Sequence, residues 1–394
     1  MSIILCLLRA EKVKFTLFAI TFLIVNAKAK RNRFKPIERS VETMFFAGVI
    51  ALCYSKRVRL IILISFLFLL GSGSLVQASS CISVDPSCKD TINVGSGGKV
   101  EFYRNYDIQT EESAITKLVI IVHGVGRNFG NAFARMISVY SDPTTAQTTL
   151  IVAPHFFADI DQPEAGYLYW GVHGWASGDD SLDRSHLSSY DVLDSLITGI
   201  ILGGKFPNLN RVIVTGLSAG GQLTERYAAG SAVEGSFKNV HFRYLISSPS
   251  SYLYFDSNRR VSGTELSFAE PVNPGCDFNT YRYGLNNRNR YMSKKSNEQI
   301  ITDFRSRDIV LMVGDQDNAT AAPSPSILND PKDGADLDIS CPAELQGSSR
   351  YERAKIFKAY LDYTFPEKSH PLIVGVGIAH QLKLYSSPEA QPWL

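Results

Sequence analysis

Histidine and tryptophan are scarce in this chain of 394 residues, with seven His and three Trp. No Cys/His cluster and no C-x-x-C pair accompanies those few imidazoles, so a zinc centre is not expected. Nothing in the sequence asks for another metal or an organic cofactor. Charge is sparse as well, at 20% against 45% apolar residues, which excludes disorder, collagen and long coiled coil as overall classes. Internal repeats and low-complexity tracts are absent. Basic charge is missing where nucleic-acid binding would need it. Residues 1 to 59 hold 12 Lys and Arg against 3 Asp and Glu, which leaves the rest with 28 of the 40 basic residues and 35 of the 38 acidic ones, about −7. A body of that sign lacks the clustered cations that neutralise phosphates, and nucleic acid is excluded as a partner.

What is present begins with an export signal. The basic stretch Ser55 to Arg59 precedes Leu60 to Leu70, eleven residues that are apolar except for Ser65, and a small-residue segment follows to Ala78. These are the n-, h- and c-regions of a signal peptide. Eleven apolar residues are too few for a spanning helix, which needs about 20. Val76 and Ala78 fit the small pockets of a signal peptidase, which puts the mature start near Ser79. The expected organisation is therefore a targeting region over 1–78 and one folded domain over 79–394, secreted or periplasmic, with no stable membrane anchor after processing. Lipidation of Cys81 is disfavoured because Ala78-Ser79-Ser80-Cys81 lacks a leading Leu. Upstream lie two more apolar stretches, Phe15 to Val25 and Met44 to Cys53, with the basic run Lys28 to Lys35 between them. We read these as a translation start at or after Met44; short membrane-associated segments are the alternative. Removal of Cys6 and Cys53 leaves Cys81, Cys88, Cys276 and Cys341, enough for two disulfides in an exported chain. The preferred pairing closes a short loop with Cys81 and Cys88 and a long one with Cys276 and Cys341.

From residue 99 onward, short apolar runs alternate with helix-like segments, the pattern of an α/β fold whose mostly parallel sheet is covered by helices. Strands are expected at Lys99 to Tyr103, Leu118 to Val122, Thr149 to Ala153, Arg211 to Thr215, His241 to Ser247, Ile309 to Val313 and Pro371 to Val374. Most are apolar on both faces, as buried parallel strands are. Helices are expected at Ala132 to Tyr140, Ser189 to Leu202, Gln222 to Ala229 and Arg350 to Tyr363; the apolar spacing across Ser189 to Leu202 is helical. Two connections, roughly 156 to 188 and 248 to 307, are long enough to build pockets or lids. The second, with its scattered arginines and no apolar stripe, reads as a solvated cap strapped by Cys276. Calcium binding by the acidic stretch Asp330 to Asp338 is disfavoured because EF-hand spacing is absent.

The strongest motif is Gly216-Leu217-Ser218-Ala219-Gly220, which follows an apolar strand and precedes a helix-compatible segment. It reads as a nucleophile elbow, in which flanking glycines permit the tight turn that lifts the serine hydroxyl off the strand end. A serine hydroxyl needs a base and an orienting acid. Among the seven His, only His380 lies beyond the last strand, where a side chain can reach back over the sheet edge. Two apolar residues separate it from the preceding Gly377. For the acid, the strand leading to Gly314 delivers Asp315 and Asp317; Asp317 is preferred because a residue three past the glycine has turned back over the sheet, whereas Asp315 caps the turn. The turn His123-Gly124-Val125-Gly126 after an early strand can aim the Val125 amide at a developing oxyanion, alongside the amide of Ala219. A dinucleotide loop is the rival for Gly124-x-Gly126, disfavoured because Phe129 stands at the third glycine position.

Taken together, these motifs resemble the α/β-hydrolase superfamily over roughly residues 95 to 385. Within it the chain looks most like secreted esterases and polymer depolymerases. The resemblance implies an eight-stranded, mostly parallel sheet with long insertions at its C-terminal edge. It also implies hydrolysis of a small-molecule or polymeric ester through an acyl-enzyme, with Ser218 attacking, His380 carrying the proton, Asp317 orienting the imidazole, and the Val125 and Ala219 amides holding the oxyanion. Tyr169, Trp170 and Trp175 in the first long connection are candidates for stacking on substrate or, equally, for a buried anchor of that loop, and Tyr252, Tyr254 and Phe255 are candidates for the same cleft. A peptidase, thioesterase or acyltransferase could use the same triad. A non-catalytic binding module of this fold is the remaining alternative, favoured if His380 cannot approach Ser218.

Overall fold

Strands without a polar face need cover on both sides, and that requirement organises the molecule. The computed structural model describes residues 80–394 apart from Ser96, Arg184, residues 262–265 and residues 321–336. The expected signal peptide, the two upstream apolar stretches and most of the acidic Asp330 to Asp338 stretch lie outside the described residues. Eight strands form one sheet: β1 Lys89–Val94, β2 Gly98–Arg104, β3 Lys117–Val122, β4 Thr149–Pro154, β5 Arg211–Leu217, β6 His241–Ser247, β7 Asp308–Gly314 and β8 Leu372–Gly375. Their spatial order is β1-β2-β4-β3-β5-β6-β7-β8. The β1–β2 and β2–β4 pairs are antiparallel, and from β4 to β8 every pair is parallel. All seven expected strands are present. The eighth, β1, is an edge strand whose alternating polar residues hide it among loop-like sequence.

Alternation along each strand feeds two cores. Leu118, Ile120 and Val122 face one side, where helices α2 Ser189–Leu202, α3 Ala219–Gly230, α4 Asn297–Ser306 and α5 Arg350–Thr364 cover them. Val119 and Ile121 face the other, against helix α1 Phe129–Val139 and the C-terminal turn at Leu384 and Tyr385. Each such side chain, fully buried, contributes about 1.5–3 kcal/mol relative to exposure. Helix starts are set locally: Ser188 accepts from the Tyr190 amide while Asp191 accepts from the Ser188 amide, a capping arrangement that fixes where α2 begins. Among the described residues, no helix is long and apolar enough to cross a membrane.

Both disulfides form with the preferred pairing, Cys81–Cys88 and Cys276–Cys341. The second long connection departs from the expected solvated cap. It contains α4, and it buries Phe278, Leu285, Tyr291, Met292, Ile300 and Phe304. These apolar residues are spread in ones and twos among polar and charged ones, so no stripe announces them. Register does the rest of the positioning. Val122 of β3 lies level with Gly216 of β5, Leu217 with Ser247 of β6, and Gly314 of β7 with Gly375 of β8. The segments that follow these residues therefore meet along one sheet edge.

Candidate active site

Ser218 sits where β5 gives way directly to α3, with φ 62° and ψ −119°. A non-glycine residue at positive φ is strained, and the surroundings hold it there: its amide donates to Ser247 O at 3.0 Å, and its carbonyl accepts from Gln222 N at 2.9 Å. The flanking glycines are required by contact rather than by φ. A Cβ on Gly216 would lie 2.5 Å from the Gly220 backbone, and one on Gly220 would collide with Val122 O. Helix and two strands converge too tightly here for any side chain.

Asp317 and His380 arrive on two turns that are zipped together. Asp317 N donates to Gly314 O, Gln316 N to Ile378 O and Asp315 N to Gly375 O. Asp315 caps the neighbouring turn, accepting from Gly377 N at 2.8 Å, as expected. Asp317 is the residue that meets the histidine: His380 Nδ1 lies 2.7 Å from Asp317 Oδ2. The two residues between Gly377 and His380 have a use, since Ile378 is buried and its carbonyl anchors Gln316. His380 Nε2 is buried without a hydrogen-bond partner among the described residues, and His380 and Ser218 line the same cleft.

Electrostatics favour a neutral imidazole beside a charged carboxylate. Burial pushes the His380 imidazole below its ordinary value and the Arg350 charge pushes the same way, outweighing the Asp317 carboxylate. For Asp317, burial alone would raise the carboxyl, but the His380 hydrogen bond and charge, with Arg350, hold it below the usual range. At neutral pH the pair is imidazole and carboxylate, with Nδ1–H donating to the Asp317 carboxylate and Nε2 free to accept.

Val125 lines the same cleft. The carbonyl of its peptide bond, Gly124 O, accepts from Arg127 N at 3.0 Å and from His123 Nδ1 at 2.9 Å. Because the peptide is planar and trans, fixing that carbonyl fixes the direction of the Val125 amide. His123 Nε2 accepts from Phe156 N at 3.0 Å, so the neutral tautomer carries its proton on Nδ1; burial drives its pKa well down. The Ala219 amide, first in α3, has no intrahelical acceptor. Asn128, which caps α1 by accepting from Asn131 N, lines the cleft too, with Ala132, Leu217 and Leu382. Nothing in the sequence marked Asn128 or Leu382, and His123 stood out only as a histidine at a strand end. The Gly124-x-Gly126 turn thus belongs to the Ser218 cleft and not to a separate dinucleotide site. Free space between these residues is about 10 Å³, at the limit for one water.

The candidate stacking residues lie elsewhere. Trp170 and Trp175 are fully buried, packed on Phe156 and, for Trp175, on the His123 ring at 4.6 Å. Tyr169 is partly buried in a two-residue pairing with Phe157 and does not line the cleft. So packed, the aromatic group anchors the loop, its large rings burying their area in a dry core. Tyr252 and Tyr254 likewise stack on Phe357 and Tyr360 of α5, and Phe255 packs on Phe304 of α4.

Comparison with solved structures agrees with this architecture. The poly(3-hydroxybutyrate) depolymerase LpqC from Bordetella parapertussis superposes with a TM-score of 0.53 at 19% identity, covering 78% of this chain and 90% of that one. Poly(aspartic acid) hydrolase-1 from Sphingomonas sp. KT-1 gives 0.53 at 14% identity, covering 81% and 100%. The fold is that of the α/β-hydrolases. No family model and no curated protein matches the sequence, so the likeness is carried by backbone geometry. In α/β-hydrolase terms, Ser218 stands at the strand-to-helix elbow, Asp317 after the seventh strand and His380 after the eighth.

Proposed function

We propose that this protein is a secreted serine hydrolase of carboxylic esters that works through Ser218, His380 and Asp317 and an acyl-enzyme. One observation carries the reading: a serine held at positive φ on an elbow faces the same cleft as a histidine whose far nitrogen is bonded to a buried carboxylate. In the proposed cycle His380 Nε2 takes the Ser218 proton as Oγ attacks the ester carbonyl. Asp317 holds the Nδ1 proton in place and stabilises the imidazolium, and the amides of Ala219 and Val125 receive the oxyanion. The imidazolium then protonates the leaving alcohol, and a water activated by the same histidine releases the acid. No cofactor takes part in this scheme. Export is supported by the two disulfides, which persist in oxidising compartments. A polymeric ester is in keeping with the poly(3-hydroxybutyrate) depolymerase named for one structural neighbour. The binding-module alternative, favoured if His380 could not approach Ser218, has less support because both line one cleft.

Intact mass after treatment with a fluorophosphonate tests the reading. A single adduct is expected on the wild type and none on Ser218→Ala, with hydrolysis of p-nitrophenyl acetate lowered at least about 10⁴-fold. A folded wild type that takes up no adduct and cleaves no ester refutes it.

A further inference from the structure

We propose that Arg350 is a positioning residue for this site: its guanidinium faces the Asp317 carboxylate opposite His380, holding the acid in register and opposing protonation of the base. The inference rests on the ester-hydrolase reading of the same residues. Arg350 is the first residue of α5, and its guanidinium nitrogen lies 4.0 Å from Asp317 Oδ1, with both side chains 1% exposed. The other carboxylate oxygen, Oδ2, is taken by His380 at 2.7 Å. Next along the helix, Tyr351 N donates to the Asp317 main-chain carbonyl at 2.9 Å. The start of α5 therefore holds Asp317 twice, once by its backbone and once by charge. The helix itself is anchored: Ser349 caps it, Arg353 Nε donates to Gly347 O at 2.8 Å, and Phe357, Tyr360 and Leu361 are buried.

Removal from water makes this contact matter. Two charges at this separation interact weakly through solvent and strongly when both are buried. Among the described residues, the charged groups acting on His380 are Arg350 and Asp317. Asp317 also has Ser248 and the buried phenol of Tyr252 near it, and burial keeps that phenol neutral by raising its pKa. His123, in the same cleft, is neutral as well. Arg350 is thus the one cation among these neighbours. A cation there disfavours the imidazolium, so a larger share of His380 stays able to accept a proton as the solution becomes acidic.

The test compares pH profiles of the full chain. In Arg350→Met the acidic limb of kcat/KM for p-nitrophenyl acetate, and of fluorophosphonate labelling, is expected to move up by about one pH unit. A roughly tenfold fall in kcat from the loosened acid should accompany it. Arg350→Lys keeps the charge and should leave the limb near its wild-type position. A folded Arg350→Met with an unmoved limb overturns the proposal, and so does a shift in Arg350→Lys as large as in Arg350→Met. Should Arg350→Met fail to fold, nitrogen chemical shifts of His380 in Arg350→Gln beside the unsubstituted protein decide: a midpoint raised by about one unit supports the assignment, and an unmoved one overturns it. That titration needs no turnover. A wild type that neither labels nor hydrolyses would sink the ester-hydrolase reading without being mistaken for a failure at Arg350.

Discussion

Gly220 has one hydrogen where any other residue has a carbon, and the carbonyl of Val122 occupies the place that carbon would need. Gly220→Ala is expected to destabilise the fold by about 1–3 kcal/mol, read as a lower urea midpoint with an unchanged m-value, and to lower activity by shifting the elbow. Trp175 makes a different kind of demand. Its ring is buried against His123 and Phe156, so Trp175→Ala should cost about 3–5 kcal/mol of stability while leaving the pH profile of the surviving folded enzyme in place. A loss of ester affinity with full stability would instead restore its stacking role. Individual catalytic candidates were legible because chemistry demands particular residue types at strand ends. The tryptophans stayed open between core and pocket because an aromatic cluster has the same sequence signature in both.

Between elements, the decisive contacts link loops far apart in the chain. Arg127, itself at positive φ of 57°, donates to Val125 O at 2.5 Å and to Asp161 Oδ2 at 2.6 Å, and Asp161 accepts from Ala158 N at 2.7 Å. This ties the turn after β3 to the connection after β4, with the Arg127 side chain 10% exposed. Arg127→Met should free the Val125 turn and reduce kcat about tenfold or more with KM little changed, as expected when an interaction used in the transition state is disordered. An equal loss through KM alone would contradict that role. Sequence periodicity placed the strands, and it matched α2 and nearly matched α5, because burial on one or two faces writes itself into residue spacing. It passed over β1 and α4, where a short element contributes only two or three apolar residues to the core.

At the scale of the whole molecule, acid and reducing conditions probe the fold. His370 is fully buried with neither ring nitrogen hydrogen-bonded among the described residues, and burial, with Lys368 and Lys358, lowers its pKa to about 4. The folded state holds the neutral form, whereas the unfolded chain takes up a proton near pH 6.5. Stability is therefore expected to decline as pH falls from about 6.5 to about 4, by up to a few kcal/mol, and His370→Leu should flatten urea-derived stability across that window. A stability curve of identical slope in both proteins would discount this histidine. The Cys276–Cys341 bond closes a loop of 65 residues. Loss of it in Cys276→Ser with Cys341→Ser should lower stability by about 4 kcal/mol on chain-entropy grounds, measurable by urea denaturation, whereas Cys81–Cys88, which spans 7 residues, should matter less.

The sequence alone determined that seven apolar strands alternate with helices, that a serine stands on a glycine-flanked elbow, and that a carboxylate and a histidine follow at later strand ends. These are local properties, set by side-chain spacing and by the few residues that tolerate a tight turn. Tertiary structure decided which residues share a cleft. The parallel register brings positions 125, 218, 317 and 380 to one sheet edge, buries Arg350 against Asp317, and sends the aromatic loop inward. Such pairings join residues up to hundreds of positions apart, and their energies depend on burial and distance, which exist only once the chain has folded.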